Sequence, residues 1–352
     1  MKTVEEIIIE IQSGVAEGSY GEQVRYLQSK MKEFADHPDF EMIEKTCNRL
    51  IGELMPKDKK EAIYEKLSLE LSSVNEKLNR VRGLIHDGKY TEALDITMSL
   101  SEMADRRPIV EDDGESAYFN FSEEFEKVIY LEIERQNGRS TADHLKETPF
   151  PYFDIYAFNG TCLLETGKYR EASEEFKKAS YWNPASAYAR FQYVVTFFMM
   201  DAAMKTWSLS IDNMKYLFRR YDISQCYFHL SHCYEAGDAE EAAVACLLLA
   251  NSYYRNEERE NYMKAKMKET GFLPSYFTSE KMREIAETYR FPLNPEETAI
   301  KLAYENGVAE IDDDPELAAY YLRIARDLSD ASEIKEKLAM AEKKLEIAKR
   351  EE

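Results

Sequence analysis

The stretch YAFNGTCLLETGKYREASEEFKKASYWNP, from Tyr156 to Pro184, has the clearest helical pattern in the chain. Tyr156, Gly160 and Leu163 are four and three residues apart, so they share one face of a helix. Gly160 has no side chain at a place where a second helix must cross closely. Gly167 predicts the end of this helix, because glycine adopts the left-handed backbone conformation that costs other residues energy.

The second half of the stretch predicts another helix, antiparallel to the first. Ala172, Phe176 and Ala179 recur at spacings of four and three, so the alanines allow close approach and the phenylalanine fills the gap between helices. Asn183 followed by Pro184 is typical of the start of a further helix. Such a pair cannot bury its apolar faces alone, so neighbouring pairs must stack on it.

The stretch resembles a tetratricopeptide repeat. That repeat has an aromatic residue, Leu-Gly and a large apolar residue, then a Gly-x-Tyr turn, then Ala, Phe and Ala, and a closing Pro. This sequence matches the pattern at Tyr156, Gly160, Leu163, Gly167, Tyr169, Ala172, Phe176, Ala179 and Pro184. Asn159 stands where Leu is usual, which raises the question of a buried hydrogen bond at a packing position. The resemblance implies an all-α, right-handed helical-repeat solenoid with irregular N- and C-terminal caps.

Two other segments repeat the turn signature. Gly88 precedes Gly167 by 79 residues, which is two periods of about 34 residues plus an excess. Loop-forming sequence at residues 106–115 or 137–152 can hold this excess. Gly237 follows Gly167 by 70 residues, and residues 187–221 hold the helix pair between them. Recurrence at this spacing favours a repeating array over a single chance match.

The signatures divide the chain into four parts. Residues 1–70 carry no repeat signature and form either a helical cap or a separate interaction module, of which the cap is favoured because terminal repeats usually degenerate. Residues 71–250 hold tetratricopeptide-like pairs, and residues 251–330 hold divergent ones. Within the latter, LAYENGVAEIDDDPELAAYYLRIARDL (302–328) resembles the related Sel-like repeats. Residues 331–352 predict a C-terminal capping helix.

Composition excludes several classes of function. The 352 residues carry a formal charge of −21, which repels nucleic acid and anionic membrane surfaces. The five scattered cysteines predict reduced thiols in a cytoplasmic protein. The amino terminus MKTVEEIIIE mixes acids with apolar residues, unlike a signal peptide. The longest apolar run, Tyr193 to Met200, is too short to span a bilayer.

One group of residues has metal-ligand chemistry. Cys226, His229 and Cys233 recur at three and seven residues along one helix, with His232 beside them. These are also positions where a repeat buries its packing residues, and this interpretation is favoured. The acidic clusters at residues 111–113 and 312–314 lack the spacing of a calcium-binding loop. No phosphate-binding loop or hydrolase motif is present, so the sequence predicts no metal, no cofactor and no enzymatic activity.

In the proteins that this chain resembles, the inner face of each first helix lines a concave groove that grips a peptide or a partner's helix. The best repeat and the 34- and 70-residue offsets from it place eleven candidate residues in this groove: Asp154, Thr161, Leu164, Glu165, Tyr188, Phe191, Phe198, Tyr227, Ser231, Tyr234 and Glu235. The groove is therefore predicted to be aromatic and apolar with an acidic edge. It lacks the Lys, Asn and Arg residues with which related proteins clamp acidic chaperone tails.

The predicted function is a non-catalytic protein–protein interaction scaffold that binds a hydrophobic or basic segment of a partner. A competing interpretation is that the protein's own helices cover the aromatic residues. Two alternative functions are a regulator that senses a small peptide and a metal-dependent enzyme that uses the Cys226–Cys233 group. The oligomeric state is not predicted.

Overall fold

The computed structural model describes residues 2–15, 18–107, 117–139 and 145–351, so the acidic cluster at 111–113 lies outside the described residues. The described residues form seventeen α-helices and two short strands. The helices are α1 (Val4–Gly14), α2 (Tyr20–Glu33), α3 (Phe40–Glu53), α4 (Lys57–His86), α5 (Tyr90–Arg106), α6 (Glu124–Gln136), α7 (Tyr152–Glu165), α8 (Tyr169–Trp182), α9 (Ala187–Met199), α10 (Ala203–Met214), α11 (Arg220–Ala236), α12 (Glu240–Tyr253), α13 (Glu257–Thr270), α14 (Ser279–Tyr289), α15 (Glu297–Ala309), α16 (Pro315–Leu328) and α17 (Ser332–Glu351). Strands β1 (Ala117–Phe119) and β2 (Leu145–Glu147) pair in parallel on either side of α6.

The helices stack as consecutive pairs. The pairs α4/α5, α7/α8, α9/α10 and α11/α12 each pack internally, and the second helix of each pair packs on the first helix of the next. Pair α15/α16 follows later in the chain, and α17 packs on α16. The prediction of an all-α helical-repeat solenoid is confirmed. Among the described helices, none is both long and apolar enough to cross a membrane.

Four pairs close with the same turn. Gly88, Gly167, Asp201 and Asp238 have φ angles of 71°, 78°, 54° and 54°, which is left-handed backbone. In each turn the next residue donates its backbone N–H to a carbonyl five residues back, as Lys168 does to Leu163 at 2.8 Å. This is the hydrogen bond of a Schellman motif. In the fourth pair Asp238 therefore corresponds to Gly167, one residue later than the sequence predicted from Gly237, whose φ is −99°.

Gly160 lies where α7 and α8 approach most closely. A Cβ atom on Gly160 would lie 2.9 Å from the ring of Phe176, which is fully buried on α8. Gly307 of α15 makes a similar close approach to α16, because a Cβ atom on Gly307 would lie 2.6 Å from the side chain of Leu322. The expected close crossing at Gly160 is confirmed.

The side chain of Asn159 is buried and hydrogen-bonded, which answers the question that its place in the sequence raised. Its side chain is 4% exposed, donates Nδ2 to Glu175 Oε2 at 2.9 Å, and accepts from Thr97 Oγ1 at 2.9 Å. Ser101 donates to the same Glu175 oxygen at 2.7 Å, and Lys178 bonds the other oxygen at 2.9 Å. A polar network thus joins α5, α7 and α8 at a position where the repeat usually has leucine.

The first three helices have a hydrophobic cluster of their own. Ile7, Ile11, Leu27, Ile43 and Cys47 are fully buried and pack with partly buried residues between Val4 and Leu54. At the other end, Leu338 and Ala341 of α17 pack with residues of α16 in a separate cluster. The four-part division of the chain and the Sel-like character of residues 302–328 stay predictions.

Helix α6 belongs to an insertion between two stacked pairs. Helices α5 and α7 pack directly on each other, while α6 packs on α15. Phe125 at its start contacts the rings of Phe218 and Tyr321 at centroid distances of 5.0 and 6.0 Å. Glu123 forms an ion pair with Arg219 and accepts a hydrogen bond from Tyr320 at 3.1 Å. The insertion therefore joins the middle of the solenoid to its last pair.

Gly160→Ala should destabilise the protein by about 1–3 kcal/mol, because the new methyl group would lie 2.9 Å from the ring of Phe176, which is fully buried. Gly83→Ala is the matched control, since Gly83 lies in α4 and a Cβ atom there meets nothing within 4 Å. The control should gain up to about 1 kcal/mol from helix propensity. Urea unfolding followed by circular dichroism measures both, and equal effects would contradict the close crossing.

Asn159→Leu, which restores the usual residue of the repeat, should destabilise the protein by about 1–3 kcal/mol. The leucine removes a donor from the buried Glu175 and an acceptor from Thr97, while the remaining polar groups stay buried. Thermal unfolding of the variant and the wild type tests this. An increase in stability would show that the network contributes nothing over apolar packing.

Candidate partner-binding face

The first helices of successive pairs lie side by side and touch through their side chains. Arg82 of α4 bonds Asp154 of α7 at 2.6 Å. The hydroxyl oxygens of Thr161 on α7 and Tyr188 on α9 are 2.5 Å apart. The rings of Phe198 on α9 and His232 on α11 have centroids 5.6 Å apart. We call this shared surface of α4, α7, α9, α11 and α13 the first-helix face.

Helix α7 contributes two accessible carboxylates to this face. Asp154 is partly exposed, and burial raises the pKa of its carboxyl while Arg82 opposes the rise. Glu165 is exposed at the other end of the helix. Thr161 and Leu164 are only 6% and 7% exposed, so they form the floor rather than the surface.

Helix α9 presents the apolar part of the face. Tyr188 and Phe198 are each 42% exposed, and Met199 is 46% exposed. Phe191 is half-buried and lies edge-on to the ring of His229 at 6.0 Å. Burial raises the pKa of Tyr188, whose hydroxyl group lies against Thr161. All the candidate residues predicted on this helix reach the face.

Helix α11 differs from the sequence prediction. Tyr227, Ser231 and Tyr234 are 0%, 1% and 7% exposed. Tyr227 donates to the carbonyl of Pro292 at 2.6 Å, and Tyr234 donates to that of Tyr289 at 2.7 Å. These three residues lie in the interior and do not reach the first-helix face.

The one-residue shift at Asp238 is the physical reason. Counted from Asp238 instead of Gly237, Tyr227, Ser231 and Tyr234 correspond to Tyr156, Gly160 and Leu163, the packing residues of α7. The same count places Phe228 and His232 on the face. Neither residue was predicted from the sequence, and both are half-buried. Aspartate also tolerates left-handed backbone, and an aspartate directly after Gly237 was the available signal.

Glu235 keeps its place at the edge of the face. Its carboxylate lies 2.7 Å from Lys266 and accepts a hydrogen bond from Tyr262 at 2.5 Å. Tyr262 also lies beside His232, with ring centroids 5.3 Å apart. Helix α13 thus extends the face with a tyrosine and a paired lysine.

The Cys226–Cys233 group is held by packing contacts. The Cys226 thiol is buried and donates to the carbonyl of Ser210 at 2.9 Å. Burial lowers the pKa of His229 to about 4 and raises that of Cys233 to about 11. His232 faces Glu235 at 3.5 Å. Over the described residues, no three His, Cys, Asp or Glu side chains converge as metal ligands.

Two pockets open on the first-helix face. One of about 400 Å³ lies beside Arg82 and Asp154 and is walled by Asn120 and Thr148 of the insertion. The other, of about 160 Å³, lies between Phe198 and His232. The second pocket is below the usual volume of a ligand site, and both pockets are lined in part by side chains of the first-helix face.

Comparisons with known proteins found similarity to solved structures at low sequence identity. No protein-family model and no curated protein matches the chain. It is similar to the crystal structure of a tetratricopeptide repeat protein from Parabacteroides merdae ATCC 43184, at 11% identity and a TM-score of 0.35, over 96% of this chain and 98% of that one. It is also similar to a chain of the APC/C hetero-tetramer Cut9–Hcn1, at 16% identity and a TM-score of 0.31, over 97% of this chain and 61% of that one. The fold assignment rests on the chain's own stacked helix pairs.

Tyr227→Ala should destabilise the protein by about 3–5 kcal/mol, because it removes a fully buried aromatic ring. Tyr188→Ala, the same change on the exposed face, should cost about 1 kcal/mol or less. Denaturant midpoints of the two variants measure the difference. Similar stabilities would show that Tyr227 lies on the surface, as the groove predicted from the sequence requires.

Proposed function

We propose that the protein is a non-catalytic scaffold that binds a segment of another protein along its first-helix face. The observation that carries this proposal is the exposed apolar strip of α9 and the turn after it. Tyr188, Phe198 and Met199 are joined there by Met200, which is 36% exposed. Large apolar side chains exposed on one helix in this way are typical of an interaction site.

The apolar side chains of the strip can contact partner groups of different shapes. Tyrosine and phenylalanine supply large rigid surfaces that anchor a partner at low entropic cost. Methionine adapts its shape to different apolar groups. The half-buried Phe191 and Phe228 continue the apolar surface between α9 and α11.

The charges of the face favour a basic segment. Its cations Arg82 and Lys266 are already bonded to Asp154 and Glu235. Glu165 and Asp201 border the apolar strip, and neither has an ion-pair partner within the described part of the chain. A partner with apolar residues flanked by Lys or Arg would therefore place its cations opposite these two carboxylates.

Selection from a random peptide library tests the proposal without knowledge of the natural partner. The wild-type protein should enrich peptides with aromatic or aliphatic residues beside Lys or Arg. The double variant Tyr188→Ala with Phe198→Ala should bind these peptides about tenfold more weakly or worse, because both anchors are lost.

Tyr181→Ala provides the matched control, since Tyr181 is 71% exposed on α8, the second helix of its pair. It should leave peptide affinity unchanged, and circular dichroism should show that all variants are folded. Peptides that bind the double variant as tightly as the wild type would overturn the proposed face. Enrichment of acidic peptides would overturn its charge preference.

A further inference from the structure

Helix α4 continues beyond the part that packs in the solenoid. Val74, Leu78 and Val81 are buried along one face of this helix. Counting back from Val74 by helical steps of seven and eleven residues, Leu67 and Ile63 lie on that same face. The apolar stripe that stabilises the first pair therefore extends into the N-terminal half of α4.

This extension passes the end of α5. Arg107, directly after α5, has its guanidinium 3.7 Å from Glu70 of α4. The residues of α4 before Glu70 therefore project past α5 by about 20 Å, at a rise of 1.5 Å per residue. Ile63 is 39% exposed there, and Leu67 is half-buried.

The projecting end of α4 and the last turns of α5 enclose an open groove of about 830 Å³. Ile63 and Leu67 line one side, and Ser99 and Met103 line the other. In a solenoid this end surface of a pair is covered by the next pair. The helices α1–α3 pack their fully buried residues among themselves, in a cluster that ends at Leu54.

The groove is not acidic, although the chain carries a charge of −21. Its charged lining consists of Lys66, Arg106 and Arg107 with Glu70 and Glu102. Arg106 pairs with Glu102 at 3.5 Å, and Arg107 approaches Glu70 at 3.7 Å. The two acidic bodies of a homodimer can therefore meet here without carboxylates facing carboxylates.

We propose that this groove binds a second copy of the chain, with the projecting ends of α4 packed antiparallel about a two-fold axis. A two-fold contact requires a surface that complements itself. An apolar stripe with balanced charges on both sides meets that requirement, since Lys66 of one copy can face Glu70 or Glu102 of the other. This contact is separate from the first-helix face and does not depend on the proposed function.

Sedimentation equilibrium of the full chain tests the proposal over a range of concentrations. The wild-type protein should approach twice its monomer mass as concentration rises. Leu67→Glu should weaken dimerisation by about tenfold or more, because each dimer would bury two new carboxylates in the contact. Leu69→Glu is the matched control: Leu69 is 67% exposed on the same helix, outside the groove, and this change should leave dimerisation intact.

Disulfide trapping independently tests where the two-fold axis of the dimer lies. Leu67→Cys should give a covalent dimer under mild oxidation, and Leu69→Cys should not, provided that Cys233 is first replaced by serine. The other four native cysteines are buried. A wild-type protein that stays monomeric at high micromolar concentration would overturn the proposal, as would a dimer that Leu67→Glu leaves unchanged.

Discussion

The conformation of one residue in each turn decides which helix faces are buried. Gly88, Gly167, Asp201 and Asp238 all adopt left-handed backbone, and each closes its pair with the same hydrogen bond. Glycine adopts this conformation without a steric cost, and aspartate is among the residues that tolerate it best. Once the turn residue is fixed, the helical repeat dictates the direction of every side chain on the preceding helix. The division between packing surface and first-helix face follows from it.

The packing between pairs shows how far a repeat can depart from its usual residues. Gly160 is required by contact with Phe176, so its place is set by steric exclusion. Asn159, its neighbour, is instead accommodated by Thr97 on one side and Glu175 on the other. The buried amide of Asn159 on α7 bonds one partner on α5 and one on α8. The hydrogen-bond network therefore fixes how α5, α7 and α8 are positioned relative to one another. Such ties make the stacking of these pairs more specific than apolar contact alone.

The sequence predicted the fold well where local signals were strong. The Gly160 and Gly167 positions define α7 and α8, and the candidate residues on α7 and α9 lie on the first-helix face or form its floor. The prediction failed on α11 because Gly237 and Asp238 are adjacent, and the usual preference for glycine selected the wrong one. A shift of one residue rotates a helix by about 100°, which exchanges Tyr227 and Ser231 for Phe228 and His232 on the face.

The insertion could not be placed from sequence, because its contacts are distant along the chain. Glu123 reaches both Arg219, before α11, and Tyr320 on α16, and no local pattern encodes either contact. Phe125 packs against the rings of Phe218 and Tyr321, which are also distant from it along the chain. Helix α6 packs on the last pair and strand β1 packs on α8, so the insertion links two separated parts of the solenoid. For the partner binding that we propose, a link that restrains the intervening pairs lowers the entropy lost when a segment binds, without contacting the apolar strip of α9.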